Sequence, residues 1–153
     1  MKVMGKAVVA MAALGIAAGS VVGAGAANAV AGAQDSGLFG AIAFSKQDWS
    51  YSTSVDAVSG EAAIVEALDS CAWDGATDCV ILAHWADGCG ALVYSSNDTS
   101  HGVGVGVGDN RDVALQRAYI GLSRYFPMAL LATTGSAELS RAGVSEVVCT
   151  SNV

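Results

Sequence analysis

The segment Cys89-Gly90-Ala91-Leu92-Val93-Tyr94-Ser95 repeats, fifty residues on, the pattern of Phe39-Gly40-Ala41-Ile42-Ala43-Phe44-Ser45. Six of the seven positions agree in kind: Gly, Ala, aliphatic, small apolar, aromatic, Ser. An internal repeat constrains a fold more than any local motif, because each copy must build the same supersecondary unit. The chain is therefore expected to consist of two related halves, 39–88 and 89–150, within one domain over 39–153.

Each half reads as strand–strand–helix–strand. Gly40–Ser45 is apolar and short enough for a buried strand, and Lys46-Gln47-Asp48 supplies a turn. From Trp49 to Val55 the sequence alternates, with Trp49, Tyr51, Thr53 and Val55 on one side and Ser50, Ser52 and Ser54 on the other. A period of two is the strand period. Ser59 is placed to cap a helix over Gly60–Ser70, with Glu61 in its first turn and Ala63, Ile64, Ala67 and Leu68 at helical spacing. Val80–Trp85 is the third strand.

The second half follows the same order: Ala91–Ser95, a turn over Ser96–Ser100 two residues longer than its counterpart, then His101–Gly108. There Val103, Val105 and Val107 alternate with Gly102, Gly104, Gly106 and Gly108. A glycine face on a strand points to a close neighbour such as a helix or a facing sheet. Asp109 is expected to cap a helix over Asn110–Tyr125, ended by Pro127. Two segments compete for the closing strand, Met128–Ala132 and Val144–Cys149. The second is favoured, which makes Phe126–Gly143 a partly helical insertion. The fold class is α+β, with mostly antiparallel sheet and one helix per repeat.

Outside the repeat, Met1–Lys6 carries Lys2 and Lys6, Ala7–Ala26 is uncharged and rich in Ala, Val and Gly, and Ala27-Asn28-Ala29 follows. Basic, apolar and small-residue regions in that order read as a secretory signal peptide over 1–29, followed by a loose lead over 30–38. No stable membrane anchor is expected after cleavage. Loss of Lys2 and Lys6 leaves five basic residues against fourteen acidic ones, so the net charge moves from −7 to −9. An acidic surface of this kind argues against nucleic acid as a partner.

An exported chain with an even number of cysteines reads as disulfide-bonded. Cys71, Cys79, Cys89 and Cys149 allow three pairings. Cys71–Cys79 with Cys89–Cys149 is favoured, because the first pair closes a helix-to-strand turn and the second ties the start of the second half to its end. The spacings lack a C-x-x-C knuckle with a neighbouring His pair, so no metal is expected.

Candidate chemistry is sparse. The Gly-Val run does not fit a dinucleotide fingerprint, since the sixth position from Gly102 is Val107 and from Gly104 is Asp109. His84 with Asp87 and a serine would make a triad only by accident of folding, and no G-x-S-x-G elbow is present. His101 stands alone on a strand. Glu66/Asp69 and Asp109/Asp112 fit solvated helix faces and helix starts. Trp49, Trp73 and Trp85 would suit either a core or a carbohydrate platform. Asn97-Asp98-Thr99 is a formal glycosylation sequon. No catalytic residue and no cofactor is assigned.

The strands Gly40-Ala41-Ile42-Ala43-Phe44-Ser45 and Cys89-Gly90-Ala91-Leu92, the Ala-rich Glu61–Leu68, Cys71, Asp78-Cys79-Val80 and Val147-Val148-Cys149 together resemble a family of small secreted actinobacterial proteins, mycobacterial ones among them. The family is known as a domain of unknown function (family four-one-eight-nine), and the resemblance runs from Phe39 to Cys149. It implies export, two disulfides and a compact α+β domain, and it supplies no catalytic residues. The expected function is that of an exported, non-enzymatic binding or effector protein of the envelope or extracellular space, with an envelope or host protein as partner. The alternatives are an exported small hydrolase and an inhibitor of an exported enzyme, the latter using the Cys71–Cys79 loop.

Overall fold

The structure, a computed structural model, describes residues 37–73, 75–96 and 100–153. The signal peptide expected over 1–29, most of the lead and the Asn97 sequon lie outside the described residues. The elements run β1 (Phe39–Ser45), β2 (Ser50–Ala57), α1 (Gly60–Ala72), β3 (Val80–Ala86), β4 (Cys89–Ser96), β5 (His101–Gly108), α2 (Arg111–Ser123), a 3-10 segment (Pro127–Thr134), α3 (Ala137–Ser140) and β6 (Ala142–Cys149). This is the strand–strand–helix–strand unit twice, with the insertion partly helical and the closing strand at the second of its two candidate positions.

Each half forms its own antiparallel three-stranded sheet, in the orders β2-β1-β3 and β5-β4-β6. The repeated segment is thus the central strand of each sheet. Its alternation sends two sets of side chains in opposite directions. Ala41 and Ala43 are buried against Ala63, Ala67 and Cys71 of α1. Ala91 and Val93 are buried against Ala114, Ala118 and Leu122 of α2. From the other faces Ile42, Trp85 and Leu92 form a third cluster, joined by Val103, Val105, Val107 and Val148. The two sheets therefore face each other, and the helices lie outside them. The layers are helix, sheet, sheet, helix.

The small-residue faces of β2 and β5 are explained by this order. Ser52 Oγ donates to Ala67 O at 2.5 Å, and Ser54 Oγ donates to Glu66 Oε2 at 2.6 Å, so the serines lie under α1. A Cβ on Gly104 or Gly106 would fall within 3.0 Å of α2 backbone atoms. The glycine face is buried beneath a helix that a side chain would push away.

Local chemistry departs from expectation at the cap of α2 and in the second hairpin. Ser59 caps α1 as expected, its hydroxyl accepting from Ala62 N at 3.1 Å. The cap of α2, however, is Asn110, whose Oδ1 accepts from Val113 N at 3.0 Å, and the helix begins one residue later than expected. Asp109 and Asn110 are both good caps, and only the backbone geometry chooses between them. Within α2 the large apolar Ile120 is exposed, while Ala114, Ala118, Tyr119 and Leu122 are buried. The glycine groove of β5 accepts small residues most closely, so the buried stripe follows the alanines. Lastly, the extra residues of the second hairpin enter its ladder through the added pair Ser96↔His101, and both hairpins keep loops of the same length.

The expected disulfides are present. Cys71–Cys79 ties the end of α1 to the approach to β3, and Cys89–Cys149 joins register partners of β4 and β6.

Candidate functional site

At the hairpin end of the sandwich the inter-sheet core gives way to an open, mostly apolar cleft of about 500 Å³. Its walls include Phe44, Trp49, Leu82, Val103, Tyr125 and Phe126, with Lys46 and His101 at its edge. A hollow of about 160 Å³ shares Phe44, Trp49 and Val103 with it and adds Tyr51, Tyr94 and Ser145. Small-molecule sites are typically apolar concavities of about 300–1,000 Å³ with a few placed polar groups.

The local sequence builds this cleft from a turn. Asp78 accepts from Ser45 Oγ at 2.5 Å through one carboxylate oxygen, and from Lys46 N at 2.9 Å and Gln47 N at 3.0 Å through the other. Ser45 Oγ in turn accepts from Asp48 N at 3.1 Å. The Ser45 hydroxyl and the turn amides hold the Asp78 carboxyl below its ordinary value, against a smaller upward push from burial. One carboxylate thus fixes the whole turn, and Asp78 itself adjoins the bridged Cys79. The turn closes with Trp49 at φ 53°. Its indole meets Phe44 edge-on, with centroids 5.2 Å apart, and His101 likewise at 5.5 Å. Edge-to-face stacks of this kind are favoured over face-to-face ones and leave ring faces for other contacts.

Two bulges complete the walls. Along β1 the register with β3 skips Leu82, between Ile42↔Ala83 and Ala43↔Ile81. Along β4 the register with β6 skips Ser145, between Leu92↔Glu146 and Val93↔Val144. Bulges re-aim side chains. Leu82 lines the main cleft, and Ser145 O accepts from Tyr51 Oη at 3.0 Å. Burial, with a contribution from Glu146, pushes the Tyr51 phenol up.

The residues singled out from sequence have separate fates. Asp87 does not serve His84. Its Oδ1 accepts from Leu38 N and from Asn152 Nδ2, contacts that hold its carboxyl low, the Asn152 bond first. His84 is exposed on β3. His101 Nδ1 lies 2.6 Å from Ser96 Oγ, across the last rung of the β4–β5 ladder. Of the tryptophans, Trp85 is core, Trp49 lines the cleft, and Trp73 stands 88% exposed at the end of α1 inside the Cys71–Cys79 loop. All four cysteines are bridged. Among the described residues no cluster of three metal-ligating side chains occurs, and no helix is long and apolar enough to cross a membrane.

Sequence reasoning missed Lys46, Asp78, Tyr125 and Phe126 as parts of one site. The available signal was Trp49, an aromatic residue at the end of a polar turn, where a purely solvated loop has no use for one.

The family described as "Domain of unknown function (DUF4189)" matches residues 39–125, more than half of the chain. The chain belongs to this family. The DUF4189 match begins with β1 and ends just after α2, short of the Cys149 to which the sequence resemblance extended. It takes in most of the main cleft, while Phe126, the insertion and β6 lie beyond it. No curated protein and no solved structure matches the chain.

Proposed function

We propose that this DUF4189 protein is an exported, disulfide-stapled binding protein, and that its working surface is the aromatic cleft between the hairpin ends. The observation that carries this is the cleft's lining: a pre-formed apolar concavity with Trp49 held in place by the Asp78-fixed turn. Two disulfides suit an oxidising setting such as the extracellular space. A hydrolase would require a nucleophile, a base and an orienting group to converge. Ser96 and His101 approach each other, but among the described residues no Asp or Glu lines the main cleft beside His101. The test is calorimetric titration of the domain with a neutral apolar probe, naphthalene-2-methanol. Saturable one-to-one binding that is lost in Trp49→Ala is expected. Absence of binding, or equal binding by Trp49→Ala, refutes the reading.

A second reading has its own observation. Trp73, exposed on a disulfide-closed loop, has the character of an interface anchor, since Trp is enriched among residues that dominate protein–protein binding. It supports an inhibitor of an exported enzyme. Trp73→Ala should then abolish inhibition of an exported peptidase while leaving probe binding unchanged. Inhibition that is absent in the wild type, or equal in the variant, removes this reading.

A further inference from the structure

We propose that the ligand of the cleft is an apolar monocarboxylate, its body between the aromatic walls and its acid group on Lys46. The proposal rests on the cleft reading above and adds the ligand's charge.

Among the described residues that line the main cleft, Lys46 and His101 are the basic side chains and none is a carboxylate. Lys46 therefore gives an otherwise apolar hollow a cationic point at its edge. Lys46 is also well placed to receive an acid. Its backbone is pinned by the Lys46 N to Asp78 bond, so the root of the side chain is fixed at the rim. Asp78 is occupied by the turn, and among the described residues no carboxylate lies within 4.0 Å of the Lys46 ammonium.

The walls and the rim favour one ligand class. Phe44, Leu82, Val103 and Phe126 offer no hydrogen-bonding partner, so the walls favour an apolar body over a sugar. A cationic ligand would meet Lys46. A polyphosphate would need several basic groups in place of one ammonium at the rim. An apolar body ending in one carboxylate satisfies both the walls and the rim.

The experiment compares three probes that differ only in their end group: 2-naphthoate, naphthalene-2-methanol and naphthalen-2-ylmethylammonium. Each is titrated calorimetrically into the domain at neutral pH. The acid is expected to bind tightest, the alcohol roughly three- to fivefold more weakly, as suits one solvent-exposed ion pair, and the ammonium weakest. Lys46→Gln should remove the difference between acid and alcohol. Lys46 is exposed, so an unaltered melting temperature verifies that this variant is folded. Equal binding of acid and alcohol by the wild type overturns the monocarboxylate but leaves the cleft reading intact. Preference for the ammonium, or an acid preference that survives Lys46→Gln, also overturns it. Failure of all three probes overturns both readings.

Discussion

The indole of Trp85, on β3, lies directly over Gly90 of β4 in the facing sheet, so closely that a Cβ on Gly90 would fall within 3.0 Å of three of its ring carbons. Gly40, the equivalent glycine of the first repeat and the register partner of Trp85, is covered by the same ring. One side chain therefore accounts for the glycine in both copies of the repeated segment. The two sheets approach each other there because neither central strand presents a side chain at that point. The indole Nε1 is buried without a hydrogen-bond partner among the described residues, so the position is held by ring packing.

Gly90→Ala should accordingly destabilise the domain. Overpacking a filled core costs about 1–3 kcal/mol, which corresponds to a fall of at least about 4 °C in melting temperature for a domain of this size. The informative control is a cycle with Trp85→Phe, which shortens the ring. If the two side chains meet, the double variant should lose less than the sum of the single ones. Additive losses in thermal melts would show that Gly90 is needed for another reason.

The second prediction concerns β5. A Cβ on Gly106 would strike backbone atoms of Ala114, Arg117 and Ala118, which move only with α2, whereas a Cβ on Gly102 would strike the ring of Phe126. Gly106→Ala should cost about 2–3 kcal/mol of stability. Gly102→Ala should cost less and alter the cleft instead, because Phe126 is one of its walls. Denaturant midpoints and probe binding, measured on both variants, check this ordering. A larger stability loss for Gly102→Ala would contradict the helix-on-glycine packing.

Much of this architecture is legible in the residues. The repeat, its period-two strands, the Ser59 cap and the disulfide pairing all follow from local patterns, because each is set by neighbours close in sequence or by a small set of cysteines. The glycine alternation shows that something packs on β5, but a helix and a facing sheet impose the same demand on a strand. That ambiguity hides the layer order. The cleft is less legible still. Lys46, Trp49, Leu82, Tyr125 and Phe126 come from three separate parts of the chain, and Leu82 reaches it through a bulge that no alternation pattern encodes. The role of Asp78 is hidden because its partners lie more than thirty residues away, across the sheet.

Asp78 also gives a pH prediction. Its carboxyl is held below its ordinary value of 3.8, first by the Ser45 hydroxyl. A group whose folded value is depressed adds stability that is present above the unfolded value and is lost as pH falls toward the folded one. Stability should therefore decline as pH drops from about 5 through 3.8 and below, with Asp87 adding to the decline in the same direction. Asp78→Asn should be less stable than the wild type at neutral pH, and the gap should narrow by pH 3. Urea midpoints measured across that range decide it; a constant gap would mean that ionisation of Asp78 is irrelevant to the turn.

The two disulfides should separate stability from binding. Cys89 and Cys149 are 60 residues apart and face each other on neighbouring strands, so their bridge closes the whole second half. Cys71 and Cys79 are only 8 apart. In the chain-entropy account the longer loop is worth about 4 kcal/mol and the shorter about 2.5 kcal/mol, large fractions of a typical domain stability of about 5–15 kcal/mol. Replacing Cys89 and Cys149 by Ser should therefore lower the melting temperature further than replacing Cys71 and Cys79. Binding should rank the other way. Asp78 sits beside Cys79 and holds the turn that carries Lys46 and Trp49, so freeing Cys79 loosens the cleft's anchor while the core stays closed. The Cys71→Ser, Cys79→Ser variant should thus bind 2-naphthoate several-fold more weakly than the Cys89→Ser, Cys149→Ser variant when both are compared well below their melting temperatures. Equal affinities would break the chain of contacts from the short bridge through Asp78 to Trp49, and a lower melting temperature for the short-bridge variant would reverse the stability order.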